Sequence, residues 1–331
     1  MKVVLAGTEK EHFMRAAAFS GIKHSLISYY HWKDGSPAEK LARLRVANEY
    51  GIETICDSGL FTLMFGAGKG GTHDIGSMTD YTKTYIETMK RSQIEKLTIV
   101  ESDVHKLLGM DAVFELRKYF EDCGLPVMYV WHKEEGIDGL MRMAERYEYI
   151  ALSIPELRIL CSKNGQRYQT VTHSLLQNLR RHCGAKLPKI HLLGNTVQET
   201  MQTTLAYSCD STSWLSGGRY GTVIDFKNSK LSPIRRADSR YKLWAKEVFT
   251  NHRSYPEIVK QFSSTQTMFE YMTSTIYSAM SMKRFQEYLD INYPWIGLRS
   301  AHEKQGERTD CERGQNHSKP VEPESPERVH V

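Results

Sequence analysis

The stretch Glu53-Thr54-Ile55-Cys56-Asp57-Ser58-Gly59 is a short run of β-branched and apolar residues that ends in turn-forming residues. Such a run predicts a buried β-strand followed by a loop. Runs of this kind alternate along the chain with longer segments of helical character, for example residues 37–49. The eight predicted strands are Lys2–Ala6, His24–Tyr29, Glu53–Asp57, Leu97–Glu101, Pro126–Trp131, Tyr149–Ser153, Lys189–Leu193 and Leu205–Cys209.

Eight strand and helix units within roughly 220 residues match the (β/α)₈ TIM barrel, typically ~250 residues long, better than an open doubly wound sheet. A dinucleotide-binding Rossmann fold is disfavoured, because the first predicted strand is followed by Gly7-Thr8-Glu9-Lys10, which lacks the G-x-G-x-x-G fingerprint. We therefore expect an α/β protein with a TIM barrel over residues 1–235.

Two further segments follow the predicted barrel. Residues 236–300 have the pattern of a basic helical extension packed on the barrel, with helices expected at 241–249, 255–262 and 268–289. Residues 301–331 are rich in Glu, Pro, Ser and Gly and hold almost no large apolar side chains. That composition is typical of a disordered tail.

The overall composition predicts a soluble protein. Of the 331 residues 40% are hydrophobic and 25% are charged, and no window approaches the ~18 uninterrupted apolar residues of a membrane span. The N-terminal run meets the acidic Glu9 too early for a secretion signal. We expect a cytoplasmic protein with no membrane partner.

Metal and cofactor motifs are missing from the sequence. The six cysteines show no C-x-x-C and the 13 histidines no H-x-H or H-x-x-x-H pair, so we expect no metal site and no cofactor. The run Gly66–Thr72 is not a Walker A loop, because glycine follows Lys69 where Ser or Thr is required. We expect a mobile loop at the entrance of a site, with Lys69 contacting a nucleic-acid phosphate.

Three aspartates fall at the ends of predicted strands, where the active site of a TIM barrel lies. Asp57 ends the third strand, Asp103 follows the fourth and Asp210 follows the eighth. Each alone is readily explained as a turn or helix-capping residue. Two carboxylates at one mouth can instead divide the work of a retaining glycosyl transfer: one attacks the anomeric carbon, and the other carries a proton to and from the leaving group.

A basic segment, residues 230–253, lies beyond the last predicted strand and contains Arg235, Arg236 and Arg240, with Tyr241 and Trp244 interleaved. One interpretation is a solvated helix face whose aromatic side chains pack inward. The other is a surface whose arginines hold a nucleic-acid phosphate backbone. A helix can do both, and the net charge of +5 is compatible with a polyanionic partner.

Two motifs resemble a known family. Asp57-Ser58-Gly59-Leu60-Phe61 resembles the D-S-G-G-[FY] motif of tRNA-guanine transglycosylases, and Asp210 followed by Arg219-Tyr220-Gly221 resembles their nucleophile segment. The stretch Ser208–Trp214 followed by Gly218–Gly221 is more closely similar to the DpdA branch of that superfamily, which inserts 7-deazaguanines into DNA. The resemblance covers residues 1–250 and implies a phage or a bacterial modification cluster as the source.

The resemblance implies an enzyme that exchanges guanine in DNA for a 7-deazaguanine such as preQ0, without a cofactor. Asp210 would be the nucleophile on C1′, and Asp57 the general acid and base. Phe61 would stack on the base, and Asp103 would bind its N1–H and amine edge. The further substrate-binding positions that it implies are Ser58, His132, Ser153, Gly194 and Arg219.

Three departures from the family pattern bear on the substrate. Leu60 replaces the second glycine of the first motif, which we expect to narrow the space near the base. Trp214-Leu215-Ser216 replaces a Pro-Thr-Arg triplet, and the zinc site C-x-C-x-x-C is missing. These differences favour DNA over tRNA as the partner. Homodimerisation and accessory modification proteins stay open.

Three alternative functions remain at this stage. The first is a tRNA-guanine transglycosylase. The second is a non-catalytic nucleic-acid-binding barrel, against which the paired aspartates argue, because carboxylates repel a phosphate backbone. The third is an N-glycosidase of the same mechanism in which water, rather than a second base, resolves the ester.

Overall fold

The computed structural model describes residues 1–60, 74–195, 197–251 and 266–295. Eight strands pair in sequence order, each parallel to the next, and the eighth pairs with the first, so the sheet closes into a barrel. The predicted (β/α)₈ TIM barrel is confirmed. Its strands are β1 (Lys2–Ala6), β2 (His24–Ser28), β3 (Glu53–Asp57), β4 (Leu97–Val100), β5 (Val127–Trp131), β6 (Tyr149–Ser153), β7 (Lys189–Leu193) and β8 (Ser208–Ser211).

Helices connect the strands and surround the barrel. The second long connection shows how one begins: Ser36 and Glu39 form a reciprocal capping box, and Pro37 occupies the first turn. The helices are α1 (Glu11–Phe19), α2 (Tyr29–Lys33), α3 (Pro37–Glu49), α4 (Ile75–Lys90), α5 (His105–Glu121), α6 (Gly136–Arg146), α7 (Ile154–Lys163), α8 (Tyr168–Cys183), α9 (Gln198–Thr204), α10 (Ser216–Tyr220), α11 (Ser239–Asn251) and α12 (Gln266–Asn292).

The pleat of the strands separates two cores. Alternate side chains point to opposite faces of the sheet. Outer-face residues such as Val3 and Leu192 are buried against the helices, whereas inner-face residues such as Val4 and Ile55 fill the barrel. Asp57 comes two residues after Ile55 and therefore shares its inner face. The same alternation brings the inner-face residues at the carboxyl ends of the strands to the mouth of the barrel.

The start of the eighth strand differs from the expectation. The sequence analysis placed the strand at 205–209, whereas β8 runs from Ser208 to Ser211. The apolar residues 205–207 precede the strand: Leu205 ends α9 in a left-handed conformation with φ of 49°. The shift moves Asp210 from the loop into the strand, on the inner face that it shares with Ser208.

The segment after β8 contains an antiparallel hairpin that the sequence analysis did not anticipate. It consists of β9 (Thr222–Lys227) and β10 (Lys230–Arg235). Its turn residues Asn228 and Ser229 have φ of 51° and 60°, as a two-residue type I′ turn requires.

The long helix α12 packs against the outside of the first strand. Gln286 Oε1 accepts a hydrogen bond from the backbone N–H of Val3 at 2.9 Å, and Ile276 and Phe285 are fully buried. The helix also contacts α1 and thus occupies the place of the eighth helix of the barrel.

Some expectations concern residues that lie outside the described ranges, namely the helix at 255–262 and the tail at 301–331. The helices expected at 241–249 and 268–289 fall within α11 and α12. Within the described ranges, no helix combines the length and the apolar character that a membrane crossing needs.

Candidate active site

The mouth of the barrel gathers three aspartates. Asp57 ends β3 and Asp210 lies in β8, both on the inner face, while Asp103 follows β4. The negative charges of Asp210 and Asp103 both act on Asp57 and disfavour its ionisation. Asp210 and Asp103 are therefore each close enough to Asp57 to interact with it electrostatically.

Two donors hold the Asp210 carboxylate. Its Oδ1 accepts hydrogen bonds from His191 Nε2 at 3.0 Å and from the backbone N–H of Gly194 at 2.9 Å. Among the described residues both hydrogen bonds to this carboxylate fall on Oδ1, which leaves Oδ2 for a reacting atom. The residue is only 7% exposed, so water competes weakly for that oxygen.

Gly194 is suited to this contact by its backbone. Its φ is +65°, and a side chain there would approach Pro155 Cγ to 3.1 Å. A residue with a Cβ would therefore strain the turn that aims the N–H at Asp210. The sequence analysis assigned Gly194 to substrate binding; in the structure its N–H donates to the candidate nucleophile.

A chain of hydrogen bonds fixes His191, which is fully buried inside the barrel. Its Nδ1 lies 2.7 Å from Ser208 Oγ, which lies 2.6 Å from the hydroxyl of Tyr149. A carboxylate only accepts, so Nε2 of His191 carries the proton that points toward Asp210. These contacts hold the imidazole ring of His191 in one orientation toward Asp210.

Asp57 has the properties of a proton carrier. Burial raises its pKa to about 6, assisted by the charges of Asp210 and Asp103 and opposed by hydrogen bonds from the backbone N–H groups of Gly59 and Ser58. A carboxyl group with this pKa both gives and takes a proton near neutral pH. Gly59 has φ of +76°, and a Cβ there would come within 2.5 Å of Ser28 and Tyr30, so only glycine allows this turn.

A second cluster lies beside Asp103. Asp103 Oδ1 is hydrogen-bonded to His105 Nδ1, and Glu156 Oε1 lies 3.0 Å from the other ring nitrogen, Nε2. Burial alone would lower the pKa of His105, but its two carboxylate partners outweigh burial and raise it to about 9. The rings of His132 and His105 are in contact, with centroids 4.2 Å apart and planes inclined by 38°, and burial lowers the pKa of His132.

The remaining predicted substrate-binding residues have different surroundings. Ser58 is buried next to Asp57, and its carbonyl accepts a hydrogen bond from the hydroxyl of Tyr81 at 2.6 Å. Ser153 ends β6 on the inner face and precedes α7 without a side-chain capping bond. Phe61 and Lys69 lie outside the described residues, as does the side chain of Arg219.

Leu60 does not narrow the mouth as expected. It is buried with Met78, Val104 and Leu116, which belong to the layer formed by α4, α5 and the segment before α5. The side chain points outward because a leucine gains more from this apolar layer than from a polar mouth. The departure from the family glycine therefore changes helix packing rather than the space above Asp57.

Glu101 also points away from the mouth. It forms two hydrogen bonds of 2.8 Å with Arg117 and accepts the backbone N–H of Val130 at 2.6 Å. Arg117 in turn contacts Glu135 at 3.2 Å. This buried ion pair ties α5 to β4 and β5 and plays no part in the mouth.

Two arginines of the basic segment, Arg236 and Arg240, form ion pairs within the chain. Arg240 contacts Asp225 at 2.7 Å and Asp238 at 3.1 Å, and Arg236 lies 3.4 Å from Glu270. Arg235 is exposed at the end of β10. The backbone N–H of Arg236 donates to the carbonyl of Gly221, which ends α10 just after β8, so the segment is attached at the mouth end of the barrel.

Sequence reasoning missed His191, His105 and Glu156. His191 gave no signal, because a lone histidine on a strand is usually a core residue. His105 stands two positions after Asp103, and Glu156 stands three positions after Ser153, the last residue of β6. Neither spacing belongs to a local metal or catalytic motif. Only the closure of the barrel brings these side chains together.

Comparison with known proteins gives no family. No protein-family model and no curated protein matches the chain. Among solved structures, a D-psicose 3-epimerase from Clostridium cellulolyticum H10 matches at 11% identity over 87% of this chain and 99% of its own, with a TM-score of 0.44. A dihydrodipicolinate synthase from Bacillus clausii matches at 10% identity over 95% and 97%, with a TM-score of 0.40. The 4-hydroxy-tetrahydrodipicolinate synthase from Methylacidiphilum fumariolicum SolV matches at 10% identity over 89% and 99%, with a TM-score of 0.38.

Proposed function

We propose that the protein is an enzyme that exchanges guanine in DNA for a 7-deazaguanine through a covalent ester on Asp210. The observation that carries the proposal is the contrast between the two mouth carboxylates. The Oδ1 atom of Asp210 is held by His191 and Gly194, whereas Oδ2 accepts no hydrogen bond from the described residues. Burial raises the pKa of Asp57 to about 6. Carboxylates in such different environments suit the roles of nucleophile and proton carrier.

In the first half-reaction, Oδ2 of Asp210 attacks C1′ of the target deoxyguanosine, and the bond from C1′ to N9 breaks. Protonated Asp57 gives its proton to the departing guanine. The product is a glycosyl ester with inverted configuration at C1′. The hydrogen bonds to Oδ1 orient the carboxylate for this attack and cost no reorganisation during it.

In the second half-reaction, ionised Asp57 takes the proton from N9 of the incoming 7-deazaguanine. This nitrogen attacks C1′, and Asp210 leaves as a carboxylate, so configuration is retained and no external energy source is required. Asp103, whose side chain is 28% exposed, would accept hydrogen bonds from the base. Base exchange in a duplex also requires the target nucleotide to leave the stack.

The alternatives differ in the acceptor and in the nucleic acid. A tRNA substrate would use the same carboxylates. Hydrolysis would follow if water reached the ester before a base. A non-catalytic barrel has no use for a fixed carboxylate beside an easily protonated one in a buried mouth, since charges there cost stability without a compensating role.

The test is incorporation of radiolabelled preQ0 into matched DNA and tRNA by the wild type, Asp210→Asn and Asp74→Asn. Asp74 is the exposed capping residue of α4 and serves as the matched aspartate control. Label in DNA that is lost in Asp210→Asn alone supports the proposal. Label confined to tRNA makes the tRNA enzyme the correct assignment, release of guanine without label indicates hydrolysis, and label that survives Asp210→Asn refutes the mechanism.

The covalent ester provides a second readout. Denaturing gel electrophoresis of the wild type with a DNA oligonucleotide should show an adduct, and Asp210→Asn should not form it. Asp57→Asn should slow both formation and resolution of the adduct, because both half-reactions use its proton.

A further inference from the structure

His132 is a buried polar side chain at the mouth of the barrel. The residue is 1% exposed, and neither of its ring nitrogens has a hydrogen-bond partner among the described residues. Burying a polar group without a partner costs roughly 1–3 kcal/mol. Native proteins rarely retain such a group unless a water, an ion or a ligand contacts it. The ring therefore indicates a missing partner at the mouth of the barrel.

Two other side chains converge on the same point. Asp103, His105 and His132 each offer one ligand atom, and these atoms all lie within 4.8 Å of one another. Asp103 Oδ1 is hydrogen-bonded to His105 Nδ1 and lies 3.7 Å from His132 Nδ1. Two imidazole nitrogens and one carboxylate oxygen form a donor set for a divalent transition metal such as Zn²⁺, Mn²⁺ or Fe²⁺.

The spacing is close to what a metal requires. With metal–ligand bonds of about 2.1 Å in a tetrahedral site, ligand atoms lie about 3.4 Å apart. The separation of Asp103 Oδ1 from His132 Nδ1, 3.7 Å, already fits. Asp103 Oδ1 and His105 Nδ1 are closer to each other than this, because a hydrogen bond joins them. Moving either atom by about 1 Å through a side-chain rotation would make room for the ion.

The surroundings of His105 add a further feature of metal sites. A metal-binding histidine usually donates its second ring N–H to a carboxylate, which fixes the ring and its tautomer. Glu156 Oε1 lies 3.0 Å from His105 Nε2, on the side of the ring opposite Asp103. Glu156 is itself held by Lys106 Nζ at 3.4 Å.

We propose that Asp103, His105 and His132 bind one divalent transition-metal ion through Oδ1 and the two Nδ1 atoms, with Glu156 orienting His105 from outside the coordination sphere. The ion takes the place of the proton between Asp103 and His105, and that proton passes to solvent. Three protein ligands leave a position for water or for a substrate atom. The site does not depend on the proposed base exchange, and Asp103 Oδ2 stays free.

Metal binding tests the proposal directly. Untagged protein is treated with EDTA, dialysed and titrated with Co²⁺ and with Zn²⁺. Visible absorption reports the Co²⁺ ligand field, and elemental analysis after gel filtration reports the bound Zn²⁺. The variants are His132→Ala and Asp103→Asn, with the exposed His31→Ala as the histidine control. Circular dichroism and thermal melting show whether each variant is folded.

We expect one equivalent of metal with a Co²⁺ spectrum in the wild type and in His31→Ala. In His132→Ala and Asp103→Asn we expect affinity to fall at least 100-fold, and in Glu156→Gln by about 10–100-fold. Metal bound with unchanged affinity by folded His132→Ala or Asp103→Asn would overturn the proposal. So would the lack of a bound equivalent in the wild type, which would make a buried water the partner of His132.

Discussion

Replacing Asp57 by asparagine should stabilise the protein at high pH. Burial, together with the charges of Asp210 and Asp103, raises the pKa of Asp57 from 3.8 to about 6. Because the folded-state pKa lies above the unfolded value, the stability linked to this proton is fully present below about pH 4 and is lost as the pH rises through about 6. Asp57→Asn keeps an acceptor for the N–H of Gly59 and removes the charge.

The magnitude follows from the shift. A pKa of Asp57 that is higher by about 2 in the folded state corresponds to a free-energy difference of about 3 kcal/mol between the two protonation states. At about pH 4 the wild type and Asp57→Asn should differ little, and at about pH 8 the variant should be more stable by up to about 3 kcal/mol. The gain in stability should accompany the loss of base exchange, since destabilising charge is concentrated where the chemistry takes place.

Urea denaturation across this pH range, followed by tryptophan fluorescence with EDTA present, measures the effect. Asp74→Asn is the control with the opposite sign: hydrogen bonds from Ser77 lower the pKa of the exposed Asp74, so its charged form favours the fold. A stability difference between wild type and Asp57→Asn that does not change with pH, or that reverses at pH 8, would refute the assignment of Asp57 as a buried carboxyl group with a raised pKa.

Three further predictions concern the packing, the nucleophile and the basic segment. Arg117→Met should lower the free energy of unfolding in urea by about 3–5 kcal/mol, because it leaves Glu101 buried without its partner. Adding Glu101→Gln should recover part of the loss. Equal stability of the wild type and Arg117→Met would contradict this prediction. In single-turnover assays His191→Phe should slow adduct formation by about 100-fold, whereas His191→Gln, which keeps a donor, should slow it less; equal rates would separate His191 from the reaction. In fluorescence anisotropy with DNA, Arg235→Gln should lower the slope of log affinity against log salt by about 1. Arg240→Gln should instead lower the melting temperature, since Arg240 is paired with two aspartates; the reverse pattern would contradict the structure.

The barrel was readable from the sequence because each strand is a short apolar run followed by turn residues. The same rule misplaced the eighth strand, because the apolar residues 205–207 come before its first residue, Ser208. The hairpin β9–β10 escaped notice because its type I′ turn uses Asn228 and Ser229 rather than a glycine pair, and because its basic neighbours suggested a helix.

The candidate site was readable only in part. Asp57 ends β3 and Asp103 comes three residues after β4, and this position at the strand ends suggested both of them. His132 was suggested by its position after β5, whereas the role of His191 depends on its hydrogen bonds to Ser208 and Asp210. These neighbours are distant in sequence, so no local pattern could indicate them.

The packing of α12 on β1 bears on how the chain folds during synthesis. The backbone of Val3 is hydrogen-bonded to Gln286, 283 positions later. The strand β1 leaves the ribosome first and cannot make this contact until α12 has been synthesised. Contacts of such long sequence separation slow folding and leave apolar surface open in the meantime. A nascent chain that ends before residue 266 would expose the outer face of β1, and chaperone binding to that face should end once α12 emerges.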